Sequence, residues 1–257
     1  MATNAAINGE LVFPSSVGLD SSGMKVRRLQ EWLTFHGCAT PIDGGFGSAT
    51  EKALNDFQRK SRLPSSSALT QAVWAKLVAP LDRAVSALPT GQNRVASILA
   101  VAKAHLAEHP IELGGENRGP WVRSYMSGRD GAEWLWCAGF VSTVMAQGCT
   151  SAGQPMPVKG SVSCDTLAAQ AQASGNFVAG KDIASGKVTW QDMGACSIFL
   201  VKRSPGDYSH TGFAFKGEGN TFYTIEGNTN DDGSCNGYEA CSRIRSIKDK
   251  DFITLLP

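Results

Sequence analysis

From Ser21 to Leu77 apolar residues recur at helical spacing between sharp breaks. Val26, Leu29 and Leu33, behind Ser21 and Ser22, predict a helix stopped at Gly37. After the tight loop Asp43-Gly44-Gly45-Phe46-Gly47, the run Ser48-Ala49-Thr50-Glu51 reads as a capping box opening a second helix, with Ala53, Leu54 and Phe57 on one face. Thr70 is expected to cap a third helix carrying Val73, Trp74 and Leu77. Residues 80–91, with two prolines and a glycine, read as a linker with one turn of helix. Gln92 to Glu108 then repeats Val95, Ile98, Leu99, Ala102 and Leu106 along one face until Pro110 ends it. Beyond about residue 190 the period changes to alternation, and 197–201, 211–215, 221–225 and 253–256 read as strands separated by glycine-bearing turns. A helical part followed by an antiparallel part is an α+β arrangement. The division expected is 1–79 for a helical domain, 80–91 for the linker and 92–257 for the α+β domain.

Composition narrows the class. The 257 residues are 42% hydrophobic, with 6 Trp and 11 Phe and a net charge of +1, which excludes a disordered chain. So even a balance gives no global pull toward nucleic acid or anionic lipid, so neither is expected as a partner. The longest apolar stretch, Trp134 to Ala146, has 13 residues, against the roughly 20 that span a bilayer, and no membrane insertion is expected. Met1 to Ser16 carries neither a basic n-region nor an apolar h-region, so the expectation is synthesis in the cytoplasm without a Sec signal. The seven cysteines (38, 137, 149, 164, 196, 235 and 241) form an odd set without a Cys-x-x-Cys pair, which argues against a zinc ribbon. Cys235 with Cys241, or Cys149 with Cys164, are the short disulfides an oxidising compartment would permit.

The chemistry-bearing residues lie in the second domain. Cys137 stands at the expected start of a buried helix, with Phe140, Val141 and Val144 on its face. A thiol in a first helical turn feels the positive end of the dipole, which favours the thiolate. His210 is the single histidine of residues 190–257. If the following hairpin turns through Gly217-Glu218-Gly219, His210 falls directly opposite Glu226 on one face, with Asn228 diagonal to it. A slip by one residue would send these groups to opposite faces. Thiolate, imidazole and an orienting polar group are what nucleophilic attack on an amide requires.

Two families come into view on these residues. Val26-Arg27-Arg28-Leu29-Gln30, Asp43 to Gly47, Thr50, Ala53, Phe57-Gln58, Thr70 and Trp74 resemble the three-helix peptidoglycan-binding domain of cell-wall hydrolases. That resemblance implies peptidoglycan as partner and places the groove beside Asp43 and Phe46. Trp136-Cys137-Ala138-Gly139-Phe140-Val141, His210-Thr211-Gly212 and Glu226-Gly227-Asn228-Thr229 resemble the CHAP amidase and peptidase domain, a papain-like cysteine hydrolase of peptidoglycan. Gly115 to Pro120 looks like an opening segment of one branch of it. The resemblance implies helices packed on an antiparallel sheet, Cys137 as nucleophile, His210 as base and acid, Glu226 as orienting carboxylate and Asn228 as a supporting group. It also assigns Trp136 and Asn117 to substrate binding and requires no cofactor or metal. The reaction implied is cleavage of an amide of the wall peptide, as an N-acetylmuramoyl-L-alanine amidase or an endopeptidase. Such a protein would act at the wall after holin release, as an endolysin, or after contact-dependent secretion, as an antibacterial toxin that implies an immunity protein.

Other patterns compete. His105-Leu106-Ala107-Glu108-His109 fits the inverted zinc-protease motif, so a zinc peptidase using His105 and His109 is an alternative, as is a wall binder without activity. A muramidase using Glu112 or Glu116 has no supporting spacing. Gly175 to Asp182 imitates a phosphate loop but has Asp182 where Ser or Thr must meet magnesium. Asn228 to Gly233 with Glu239 resembles a calcium loop around Asp232, with a solvated hairpin as the simpler reading.

Overall fold

The computed structural model describes residues 5–15, 17–89, 91–230, 232 and 236–256. Its contacts group the chain into two units, one of residues 2–83 with 112–133 and one of 84–111 with 134–257. The sequence division at 80–91 assigns 112–133 to the second domain. The contacts place them with the first.

In the first unit, α1 (Ala5–Leu11) precedes the three helices of the sequence pattern, α2 (Met24–Phe35), α3 (Ser48–Lys60) and α4 (Gln71–Leu77). The next helix is α5 (Ala79–Ser86), longer than the single turn expected there. Thr70 caps α4 as expected, its Oγ1 accepting from the Val73 N–H at 3.3 Å. The capping box at Ser48 does not form. Gly47 is the N-cap residue, and Thr50 is buried, where the Gln30 amide donates to its hydroxyl at 3.0 Å.

The segment 112–133 adds α7 (Pro120–Tyr125), which brings Trp121 against Trp32 and Phe35 and buries Arg123 among carboxylates. Arg123 donates to Glu10 at 2.7 Å, to Glu31 at 2.5 Å and to Asp130 at 2.9 Å. Burial alone would favour its neutral form, but Glu31 and Glu10 outweigh that and raise its pKa. Glu10 and Glu31 are buried too, and Arg28 and Arg27 supply each with a further cation.

The second unit opens with α6 (Arg94–Ala107), capped by the Asn93 side chain. The buried helix begins at Cys137 as expected and runs as α8 (Cys137–Ala152). Gly148 lets the two helices touch, since a Cβ there would lie 2.6 Å from the Ile98 Cα. Then follow α9 (Cys164–Ser174), β1 (Phe177–Ala179), α10 (Gly180–Ala184), β2 (Ser197–Ser204), β3 (Asp207–Glu218), β4 (Thr221–Thr229), β5 (Glu239–Ser246) and β6 (Lys250–Thr254). The six strands form one antiparallel sheet in the order β1-β6-β2-β3-β4-β5. Helix α8 packs on β3 and β4, with Phe140 edge-on to Phe213. The opposite face is filled by Met193, Phe199, Ala214, Phe222 and Phe252, with Trp190 packed against them. No helix among the described residues is long and apolar enough to cross a membrane.

The β3–β4 hairpin departs from the expected register. Glu218 pairs with Thr221, so the turn is Gly219-Asn220, and Phe213 pairs with Ile225. Gly217 is not a turn residue but a bare spot under the Trp190 ring, and Lys216 beside it takes a φ of 49° where the ladder shifts. The register is therefore displaced by two residues, which preserves the faces.

Two substitutions test this packing. Arg123→Met is expected to lower stability by about 3–5 kcal/mol in urea denaturation, because it leaves Glu10 and Glu31 buried without their shared cation. Gly148→Ala gains about 1 kcal/mol of helix propensity but overlaps the Ile98 backbone, and overpacking of about 1–3 kcal/mol makes a net loss the expected result.

Candidate functional site

Cys137 is the first residue of α8, and no side chain caps that helix end. Its thiol therefore sits where the N–H groups of a first turn lack helical partners and the dipole is positive. The close approach of this turn to the sheet depends on Gly227, since a Cβ there would lie 2.7 Å from the Trp136 ring and 2.9 Å from Phe140. Three groups act on the sulfur. Cys164, the first residue of α9, places its own sulfur 3.8 Å away, the His210 ring lies alongside, and the Thr211 backbone donates to it.

The pKa of Cys137 is consequently held well below the usual thiol value, first by the Cys164 hydrogen bond and then, against the cost of burial, by His210 and Thr211. Cys164 is pushed the other way, first by its hydrogen bond with Cys137, then by burial and by the charge of Cys137 beside it. The two shifts run in opposite directions, Cys137 toward the anion and Cys164 toward the thiol.

His210 is fully buried on β3, and its Nε2 lies 2.8 Å from Glu226 Oε2 on β4. Continued one step, the register puts Gly212 across from Glu226, and a Cβ at Gly212 would lie 2.9 Å from the Glu226 Cγ. His210 and Glu226 therefore meet diagonally rather than directly opposite, and a bare glycine leaves room for the carboxylate. The other ring nitrogen, Nδ1, makes no hydrogen bond of ordinary geometry, yet Cys137 is close enough to act on the ring's charge. Burial disfavours the charged ring, but Cys137 and Glu226 together outweigh it and raise the His210 pKa to about 9. Both shifts run toward a thiolate–imidazolium pair.

Glu226 is also fully buried, and four hydrogen bonds converge on it. Arg245 donates to Oε1 at 2.7 Å and to Oε2 at 2.6 Å, Thr224 donates to Oε1 at 2.5 Å, and His210 takes the remaining side of Oε2. Burial would raise its pKa, but Arg245 and then His210 bring it down to about 2. Asn228 lies two residues on in β4, buried, at a φ of 57°, with neither amide atom hydrogen-bonded. Continued once more, the register sets it across from His210.

Of the residues expected to form the site, Cys137, His210, Glu226 and Asn228 converge in the second unit. Those expected to meet substrate do not line a surface there. Trp136 is buried against Gly227. Asn117 lies in the first unit, buried at a φ of 49°, where its N–H donates to Glu112 and its amide to the Ala132 carbonyl. Phe46 is buried in that unit's core, and Asp43 is exposed but spends its carboxylate on the Gln30 amide and the Gly45 N–H. That loop is held from beneath by Gln30, whose amide also reaches the Gly45 carbonyl and accepts from the Gly44 N–H. Sequence reasoning missed Cys164, Arg245 and Thr224, for which no motif or spacing pointed to the site.

The competing motifs come apart. His105 is buried with Nε2 on the Gln147 amide oxygen at 3.0 Å, and burial lowers its pKa to about 4. His109 lies beyond the end of α6 at a φ of 51°, exposed. The two imidazoles do not share a site, and among the described residues no group of three or more His, Cys, Asp and Glu is placed to hold a metal. In the calcium-like segment Glu239 is in the β5 ladder, while Asp231, Gly233 and Cys235 lie outside the described residues, and with Cys235 its suggested disulfide. Cys149 and Cys164 are both free thiols. Cys164 sits beside Cys137, and Cys149 is twelve residues farther along α8, about 18 Å at 1.5 Å per residue.

Cys164→Ala removes the donor to the sulfur, so the Cys137 pKa should rise. Its alkylation by iodoacetamide near pH 6, followed on the Cys137 peptide by mass spectrometry, is expected to be several-fold slower than in the unaltered protein.

No curated protein and no solved structure matches the chain. Residues 22–77 match the family described as putative peptidoglycan binding domain, which covers α2, α3 and α4 with the Asp43 loop between them. The chain thus carries a peptidoglycan-binding domain at residues 22–77, which gives it a cell-wall-related function with peptidoglycan as a partner.

Proposed function

We propose that the second unit is a cysteine hydrolase of the CHAP type that cleaves an amide of the wall peptide, with the peptidoglycan-binding domain holding it on its substrate. The observation that carries this reading is the buried Cys137, His210 and Glu226 series, in which the thiol is drawn toward the anion and the imidazole toward the cation. A pair in that state is ready for nucleophilic attack without a prior proton transfer. Binding to the same polymer raises the local substrate concentration, so weak affinity in the first domain suffices.

In this reading the Cys137 thiolate attacks the carbonyl carbon, and the oxygen that gains charge lies by the first turn of α8, whose N–H groups are unpaired within the helix. The His210 imidazolium gives its proton to the leaving amine, a thioester remains on Cys137, and the neutral ring then takes a proton from the water that hydrolyses it. Glu226 keeps the ring oriented through Nε2 so that Nδ1 serves the reacting atoms. Asn228, with both amide atoms unpaired in the buried site, is the supporting polar group. Either the muramoyl to L-alanine bond or a peptide bond of the stem is open to this chemistry. The protein would act at the wall, as a phage endolysin or as a secreted toxin.

Purified sacculi provide the test. The unaltered protein should release soluble fragments whose masses name the bond, and Cys137→Ala should release none. The rate should hold through neutral pH and fall above pH 9, as the His210 proton that the leaving amine needs is lost. Release by Cys137→Ala at the unaltered rate would eliminate thiol catalysis.

A further inference from the structure

We propose that Arg245 is a positioning residue of this site, the group that keeps Glu226 charged and aligned on His210. The inference rests on the hydrolase reading only for the name of the reaction, because its geometry concerns the charge relay behind Cys137.

Arg245 lies on β5, directly across from Phe222 and four pairs along the ladder from Glu226, on the same face of the sheet. From there its guanidinium grips Glu226 with two near-parallel bonds, Nε to Oε1 at 2.7 Å and Nη2 to Oε2 at 2.6 Å. Such a fork fixes the plane of a carboxylate as well as its charge. Oε2 is the oxygen that also meets His210, so the orientation of the imidazole is set from β5 through Glu226. The guanidinium is itself held over the Phe199 ring at 5.6 Å, and that ring also lies 6.0 Å from His210. The base of the site is thus one packed stack, Phe199 with His210 and Arg245 around Glu226. The other groups facing this chain are the Thr224 hydroxyl on β4, Cys137 at the start of α8 and Cys164 at the start of α9, with Asp165 next to it. Arg245 is the cation of this set that does not titrate in the working range.

The consequence is a division of charge. A buried carboxylate facing imidazole alone would take up a proton as the medium turns acidic, and a neutral carboxyl supports neither the imidazolium nor its orientation. The pair would then relax to thiol and neutral ring. The guanidinium prevents this, and because it shares the carboxylate it also stops Glu226 from holding the His210 proton too tightly to release it.

The experiment uses the full chain with Arg245→Ala and Arg245→Lys, and reads both Cys137 alkylation and fragment release from sacculi across pH 4.5–9.5 (about the range of carboxylate and imidazole titration). In Arg245→Ala the acid limb of Cys137 alkylation should move up by about one pH unit, a tenfold loss of rate in mild acid, and added guanidinium ion should restore part of it. Lysine at this position, which keeps the charge without the fork, should hold the acid limb near its original place but release fragments more slowly. An Arg245→Ala profile parallel to the unaltered one at every pH, with only a lower Tm, would overturn the proposal and make Arg245 a structural residue. Unaltered protein whose Cys137 alkylates in acid but which releases nothing from sacculi would overturn the hydrolase reading instead, and leave the role of Arg245 to be judged on alkylation alone.

Discussion

A carboxylate taken out of water persists as an anion only where enough donors replace the water it lost, and the candidate site is built around meeting that demand at Glu226. Four donors from three strands converge on its two oxygens, and the histidine among them is the one that reaches on to the thiol. With the anion secured, the imidazole beside it can carry a proton despite full burial, and with the imidazolium secured the sulfur can give its proton up. Each charge is tolerable because of the one before it. Removing any member leaves the next as an uncompensated buried charge, which is far more costly than leaving the whole set out.

The same set constrains the backbone. Side chains of ordinary size at Gly212 and Gly227 would occupy the spaces now taken by the Glu226 stem and by the first turn of α8. Chemistry here is therefore written partly in what is missing from the sheet. Phe140, one turn into α8, fills the space over Gly227 and packs edge-on to Phe213, so the helix that carries the thiol is seated by the core rather than by a loop. On the far face Phe199 touches both the aromatic core and the imidazole. Site and core share residues, and neither is an addition to the other.

Much of this was legible in the chain because periodicity reports burial directly. Helices α2, α4, α6 and α8 fall where the apolar spacing puts them, and Cys137 is the first residue of its helix. His210 and Glu226 meet although the observed hairpin register lies two residues from the one the glycines suggest. Their meeting survives because side chains alternate with period two, so an even displacement exchanges partners without exchanging faces. The displacement comes from Gly217, which reads as a turn residue and is in fact kept bare for the Trp190 ring. Ser48 is not the cap because the helix starts one residue earlier than its motif implies, with Gly47 at the N-cap and Ser48 already in the first turn. Arg245 and Cys164 left no trace in local pattern. A charged residue alternating along an edge strand looks like a solvated face, and a cysteine 27 residues from another becomes its neighbour only when two helix starts are brought together. Trp136 and Phe46 show the opposite limit, since an aromatic near a motif reads equally as a binding surface or as core, and here both are core.

The grouping of residues 112–133 with 2–83 gives the polypeptide three crossings between its units, near 83, 111 and 133. Two domains joined by one connecting sequence could be exchanged by a single recombination within it. Such an exchange near residue 80 would separate Arg123 from Glu10 and Glu31, and each product would inherit half of a buried ion cluster. An exchange that keeps the ion cluster whole must therefore carry α7, encoded downstream, along with the domain matched at 22–77.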